Sequence, residues 1–276
     1  MQRLVGSHSQ LANATHGAAA PWGWAAGGAC MGLLVATLAF APAQWLAQGI
    51  QRLSGERVQL LAPQGTAWRG SAQLVLSAGH GSRVPTALAS RIQWQLGPSW
   101  EGLTLVLSTD CCLPQPWRWT LSPSWGGVRV RLSDQPAAQP SRWPSALLAG
   151  LGTPWNTLQL HGSLALSSQQ LELQWQPSGW QLAGRAQLDA HQMSSSLSTL
   201  KPMGSYRLAL EGGPQPTLQL TTLEGSLQLN GSGRWGPGGL RFEGEASAAP
   251  ERAEALANLL NIVGRRDGTR SIIKVG

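Results

Sequence analysis

From residue 58 onward the chain alternates apolar and polar positions in short runs, most of them closed by glycine or proline. In Leu171-Glu172-Leu173-Gln174-Trp175-Gln176 the parity is strict, and a period of two is the pattern of a strand with one buried face. Val58-Gln59-Leu60-Leu61 opens the series, Gly65 to Gly70 supplies a tight turn or bulge around Trp68, and alternation resumes with Leu74 and Leu76. Further strands are predicted over residues 91–96, with Ile92, Trp94 and Leu96 on one face, and over 103–107, 117–121 and 128–132. A second series covers 157–166, 170–176, 180–190, 204–211, 217–222, 225–230 and 239–246, punctuated by Pro177-Ser178-Gly179, Gly212-Gly213-Pro214 and Gly236-Pro237-Gly238-Gly239.

Within these strands one phrase recurs, an apolar residue, any residue, then glycine: Leu160-His161-Gly162, Leu182-Ala183-Gly184, Leu223-Glu224-Gly225, Leu229-Asn230-Gly231 and Phe242-Glu243-Gly244. Glycine inside a strand marks a bulge, a bend or a close backbone approach. The repetition predicts one large curved antiparallel sheet with a Leu/Trp-rich face. Residues 134–156 break the rhythm with four prolines and read as a crossover loop, with a helical turn at 145–151, between two halves of the sheet.

The period changes near the end. Ala253, Leu256, Ala257, Leu260 and Val263 keep helical spacing, with Pro250 before them and Gly264 after. That is an amphipathic helix able to close one end of the sheet and block edge pairing. Arg265-Arg266-Asp267-Gly268 then reads as a turn, and residues 271–275 as a last strand.

Near the amino terminus the alternation is replaced by continuous apolarity. Residues 18–43 carry no charge, and in 25–40 Thr37 is the only polar side chain; Trp22 and Trp24 stand at one end and Trp45 at the other. About 20 apolar residues match the ~30 Å hydrocarbon core of a bilayer, with indoles at interface depth. A cleaved signal peptide is the rival reading. Ala39-Phe40-Ala41 has the small-x-small form, but Pro42 follows it and the apolar run exceeds a usual signal core. The expectation is therefore an uncleaved anchor: a short disordered tail over 1–20, a transmembrane helix over 21–45 and a β-rich domain over 46–276 that leaves the membrane through a polar linker at 48–57. The positive-inside count does not fix the orientation, because Arg3 precedes the span and Arg52 and Arg57 follow it.

The net charge of +7 raises the question of nucleic acid or an anionic surface. The cations are dispersed in the polar phase of strands, as Arg129 and Arg131 are between Val128, Val130 and Leu132. Solvated outer-face charge is the simpler reading, and no nucleic-acid partner is expected. Cys30 falls in the apolar segment, while Cys111 and Cys112 are adjacent, either two thiols or a vicinal bridge. No Cys-x-x-Cys or Cys/His spacing suggests a metal or redox centre.

No catalytic constellation stands out. His8, His16, His80, His161 and His191 lie far apart; the Gly-x-Ser-x-Gly elbow, the phosphate-binding loop and His-Glu-x-x-His are all missing from the sequence. Glu172, Glu224 and Glu243 occur singly on polar strand faces. No catalytic, cofactor-binding or metal-binding residue is assigned. Trp94, Trp175 and Trp235 sit in strand phase and are read as core.

The order of motifs carries a resemblance. Gly65-Thr66-Ala67-Trp68-Arg69-Gly70 follows the single span. Later come Leu200-Lys201-Pro202-Met203-Gly204-Ser205-Tyr206-Arg207, Gly231-Ser232-Gly233-Arg234-Trp235 and the close Leu259-Leu260-Asn261-Ile262-Val263-Gly264-Arg265-Arg266-Asp267-Gly268. Over about residues 20–276 the chain resembles the general secretion pathway protein N (type II secretion system protein N, GspN) family. Its first motif is also similar to elements of AsmA-like periplasmic proteins. The resemblance implies a mainly β protein with one amino-terminal transmembrane helix, a large curved antiparallel sheet (AsmA-like) and a carboxy-terminal amphipathic helix, the tail 1–20 being cytoplasmic and the β-rich domain 46–276 periplasmic. It further implies a non-enzymatic accessory subunit of the type II protein secretion system in the inner membrane of Gram-negative bacteria, without cofactor. Its partners would be other secretion subunits and the inner-membrane lipid bilayer. The alternative is an AsmA-like lipid-binding or lipid-transfer protein with an apolar groove.

Overall fold

The computed structural model describes residues 22–79, 85–177 and 179–276, and the chain divides after Phe40 into two compact units. The expected tail at 1–20, with His8 and His16, lies outside the described residues, as do His80 and Ser178. The first unit holds helix α1 (Trp22–Ala39), long and apolar enough to cross a membrane. Its 18 residues extend about 27 Å at 1.5 Å per residue. Its one polar side chain is satisfied within the helix, Thr37 Oγ1 donating to the Leu33 carbonyl at 2.7 Å.

The second unit begins with helix α2 (Ala43–Leu53), where a polar linker was expected over 48–57. Ala43, Leu46, Ala47 and Ile50 recur at helical spacing, so the segment has an apolar stripe to bury, and Ala43 and Ala47 are buried. Strands β1 (Val58–Gly65), β2 (Arg69–Leu76), β3 (Thr86–Ser99), β4 (Gly102–Ser108), β5 (Trp117–Ser124) and β6 (Gly127–Leu132) follow. After the crossover come β8 (Leu160–Gln176), β9 (Gly179–Ser195), β10 (Gly204–Gly213), β11 (Thr217–Gly225), β12 (Leu227–Gly236) and β13 (Gly239–Ala248). All belong to one antiparallel sheet in sequence order, closed at the far side by β15 (Arg270–Val275) and the short β14 (Arg265–Asp267) outside it. The expected turn at 265–268 is thus a three-residue strand plus its turn.

The crossover does not split the sheet. It contributes β7 (Ser141–Pro144), which pairs with the first part of β8 while β6 pairs with the last part. A 3-10 turn over Ser145–Leu151, where a helical turn was expected, and the short α3 (Trp155–Leu158) complete it. The predicted strands 157–166 and 170–176 are one 17-residue strand that starts at Leu160, residues 157–158 belonging to α3, and a bulge at Gln170 absorbs the break. Gln170 has φ 49°, and its N–H donates to Asp134 Oδ1 of the crossover at 2.6 Å. Gly184 faces that bulge from β9 with φ 85°, where any Cβ would strike the Gln170 backbone.

One apolar face runs the length of the sheet, as the register shows: Leu60 opposite Leu74, Trp94 opposite Leu107, Leu121 opposite Val130, Leu173 opposite Leu182, Leu208 opposite Leu220, and Gly233 opposite Phe242. Two glycines make room for rings on this face. A Cβ on Gly231 would sit 2.5 Å from Phe242 Cζ, and one on Gly70 would sit 2.5 Å from Trp94 Cζ2. Helix α4 (Ala253–Val263), preceded by a 3-10 turn at Pro250–Arg252, covers the carboxy-terminal part of the face. It buries Leu256, Leu259 and Leu260 against Tyr206, Leu227 and Ala246. Helix α4 therefore covers a face, and β14, not the helix, occupies the sheet edge.

Candidate functional site

The polar residues noted in the sequence stay apart and act as outer-face partners. Glu172 bridges Arg131 (3.2 Å) and Arg129 (2.9 Å) across β6 and β8. Glu243 pairs with Lys274 (3.1 Å), and Glu224 accepts a hydrogen bond from Ser205 Oγ (3.0 Å). Arg129 and Arg131 are thus paired surface charges, as expected. His161 and His191 are exposed. Among the described residues, no three His, Cys, Asp or Glu side chains gather closely enough to hold a metal ion.

The best-formed ion pair is Asp189 with Arg207, neighbours on β9 and β10, at 2.8 and 2.9 Å in a two-pronged arrangement. The hydrogen bonds from Arg207 hold the Asp189 carboxyl below its usual range and in turn raise the guanidinium. One residue away, the Tyr206 phenol faces the core and donates to the Leu227 carbonyl at 3.2 Å; burial pushes its pKa up. Both features brace the sheet.

Cys111 and Cys112 form a vicinal disulfide with Cα atoms 3.7 Å apart. Cys112 is buried with Leu88 and Leu147, and its carbonyl accepts the Arg142 N–H of β7 at 2.8 Å. The bridge therefore sits where the β4–β5 connection is tied to the crossover, with Thr109 Oγ1 3.7 Å from Cys111 Sγ.

What the fold leaves open is backbone edge and apolar face. On the far edge, β14 covers Arg270 to Ile272 of β15, so Ile273 to Val275 pair on one side only. At the other edge β1 pairs only with β2; a bulge at Ala62 (φ 46°) and Pro63 interrupt its second half, leaving Val58 to Leu61 regular. Ser54 Oγ accepts the Val58 N–H at 3.1 Å and donates to its C=O at 3.2 Å, so the unpaired N–H and C=O groups of this edge begin beyond Val58. On the apolar face Val128, Leu173, Trp175 and Trp180 remain exposed, so the reading of Trp175 as core is corrected. Trp94 is buried, and Trp235 is half-buried against Trp180 with ring centroids 6.3 Å apart. Strands β9 and β12 would stand about 14 Å apart in a flat sheet at ~4.8 Å per strand, so the two indoles reach toward each other over β10 and β11. The signal for Trp175 was available in the sequence: it lies two residues before Pro177, at a hairpin tip where no strand continues over it.

Residues 56–273 match the family described as type II secretion system (T2SS), protein N. Comparison with curated proteins and with solved structures returned no match. The matched stretch runs from the turn before β1 into β15 and so takes in every strand of the sheet but the last residues of β15, in the order in which the motifs were read. The chain belongs to the type II secretion system protein N family.

Proposed function

We propose that this chain is a non-enzymatic, single-pass inner-membrane subunit that supports export of folded proteins by holding other secretion subunits against its periplasmic sheet. Membership of the family supports an accessory role in type II secretion. Helix α1 supports a single anchor. The Cys111–Cys112 disulfide favours an oxidising compartment for the sheet, because such bridges rarely persist in cytosol. Contact by strand addition is carried by one observation: β1 pairs with one strand only and, beyond Val58, whose N–H and C=O are taken by Ser54 Oγ, stays regular to Leu61. A partner strand there would gain main-chain hydrogen bonds without any new pocket.

The test is site-specific photo-crosslinking in secreting cells, with the crosslinker at Gln59 or Leu61 of β1 and at Val275 of β15. Adducts with another secretion subunit from β1 are the expected result. A protein that restores secretion yet gives no adduct at either edge would sink the edge mechanism. A second reading, lipid handling along the apolar groove, is favoured by the exposure of Val128, Leu173, Trp175 and Trp180. Stoichiometric phospholipid co-purifying in native mass spectrometry would support it; lipid-free protein that captures secretion subunits would remove it.

A further inference from the structure

In a meander of antiparallel strands, every second connection lies at the same end. Here six tight hairpins share one rim: β1–β2, β3–β4, β5–β6, β8–β9, β10–β11 and β12–β13. Five of the six carry tryptophan at or beside the tip: Trp68, Trp100, Trp125, the pair Trp175 and Trp180, and Trp235. Trp100 and Trp125 are fully exposed, at 107 % and 101 %, and Trp175 is 62 % exposed. The opposite rim carries the long crossover, the disulfide and α4; among the described residues its most exposed tryptophan is Trp155, at 38 %. The fully bare indoles of Trp100 and Trp125 have no packing role in an isolated sheet. The apolar body and single N–H of an indole suit the boundary between hydrocarbon and water.

The chain itself enters the sheet unit at this rim. The Ala41 carbonyl accepts the Ala67 N–H at 2.8 Å, and Pro42 bridges Thr66, both beside Trp68 in the first hairpin tip. Trp45, in the first turn of α2, is also exposed. Phe40 and Ala41 alone separate the end of α1 from Pro42 in the sequence. Charge agrees with this placement. Arg234 and Arg241 face each other directly across β12 and β13, close to the Gly236–Gly239 tip, a like-charge arrangement that costs stability by itself. Among the described residues neither forms an ion pair, and exposed Arg69 adjoins Trp68. The acidic residues at or beside these tips are paired, Glu101 at 3.8 Å from Arg131 and Glu211 at 3.4 Å from Arg185. Phosphate headgroups would relieve the two facing arginines.

We propose that the tryptophan-bearing rim of the sheet is a lipid-contact surface that seats in the headgroup layer of the membrane that α1 enters. The proposal rests on reading α1 as a membrane span, and the experiment separates the two.

The full-length chain, labelled with fluorotryptophan, is reconstituted in nanodiscs of phosphatidylethanolamine and phosphatidylglycerol. Fluorine resonances are assigned with Trp22→Phe, Trp100→Phe and Trp125→Phe variants. A phospholipid bearing a nitroxide just below its glycerol backbone is then compared with a water-soluble gadolinium chelate. The expected result is several-fold broadening of Trp100 and Trp125 by the lipid nitroxide, with little effect of the chelate. If Trp22 responds to the lipid while Trp100 and Trp125 respond only to the chelate, the span holds and the rim proposal is overturned. If Trp22 also responds only to the chelate, the span itself fails. Indoles shielded from both agents would mean that protein covers the rim, which overturns lipid contact as well.

Discussion

Helices α2 and α4 both lie on the apolar face of the same sheet, yet they meet it differently. Helix α4 presents Leu256, Leu259 and Leu260, all within 2 % of full burial, to a cluster that also holds Met193, Met203, Tyr206 and Leu227. Helix α2 buries only Ala43 and Ala47, and its neighbours are a small cluster of Ala72 and Trp94 with Leu46, Leu60, Leu105 and Leu107 half-buried around it. Long side chains give α4 a deep, area-rich contact. Small ones let α2 approach closely but remove less apolar surface from water. The carboxy-terminal part of the sheet therefore has an ordinary core, whereas the amino-terminal part is thin. That difference assigns stability to one region and leaves the other, with its open edge at β1, for contact.

The largest test of this contrast is truncation of each helix. Leu260→Ala should cost about 2–5 kcal/mol, as for a fully buried leucine; Leu46→Ala, half-buried, should cost about 1 kcal/mol by lost transfer alone. Urea unfolding of the detergent-solubilised protein measures both, and equal costs would erase the distinction. Next come the glycine seats. Gly231→Ala and Gly70→Ala each force a methyl to within 2.5 Å of an aromatic ring, so each should cost about 1–3 kcal/mol by overpacking. A clearly smaller loss at Gly70 would show that the amino-terminal region yields where the carboxy-terminal one cannot.

A smaller effect is expected at the tie between α4 and the sheet. Ser271 is buried and donates to the Leu260 carbonyl at 2.7 Å, so Ser271→Ala should cost about 1–2 kcal/mol and quicken amide exchange in α4 but not in α2. The smallest concerns pH. The Asp189 carboxyl is held below its ordinary value by Arg207, so its contribution is complete above about pH 4 and is lost as pH falls toward the depressed value. Arg207 is two-fifths exposed, which limits the pair to about 0.2–1 kcal/mol. Asp189→Asn should flatten that acid-side slope; an unchanged slope would assign it to other carboxylates.

Much of this architecture was written in local pattern. Strict parity in 171–176 placed Leu173 and Trp175 on the inner face, and helical spacing from Ala253 to Val263 located α4. The glycine phrase pointed to bulges and close approaches, which is what Gly184 and Gly231 provide. Two elements escaped. The α2 stripe was masked by Gln44, Gln48, Gln51 and Arg52, polar residues that belong to its solvent side. Strand β7 is four residues between prolines and exists because β8 runs past the end of β6. Of the candidate surface, the tryptophans were visible as residues, but their common rim was not. Parity gives the face of a strand, whereas the rim depends on counting hairpins through a crossover whose pairing is nonlocal.

The sequence by itself determined the strand faces, the apolar helix, the carboxy-terminal helix and the family, because each is set by neighbours within a few residues or by motif order. Only the tertiary structure decided that the crossover leaves the sheet unbroken and that the strands at 157–166 and 170–176 are one. It also brought Trp180 to Trp235 and seated Ala41 and Pro42 beside the tip that carries Trp68. Those outcomes depend on hydrogen bonds and curvature between residues far apart in the chain, which a local period of two cannot encode.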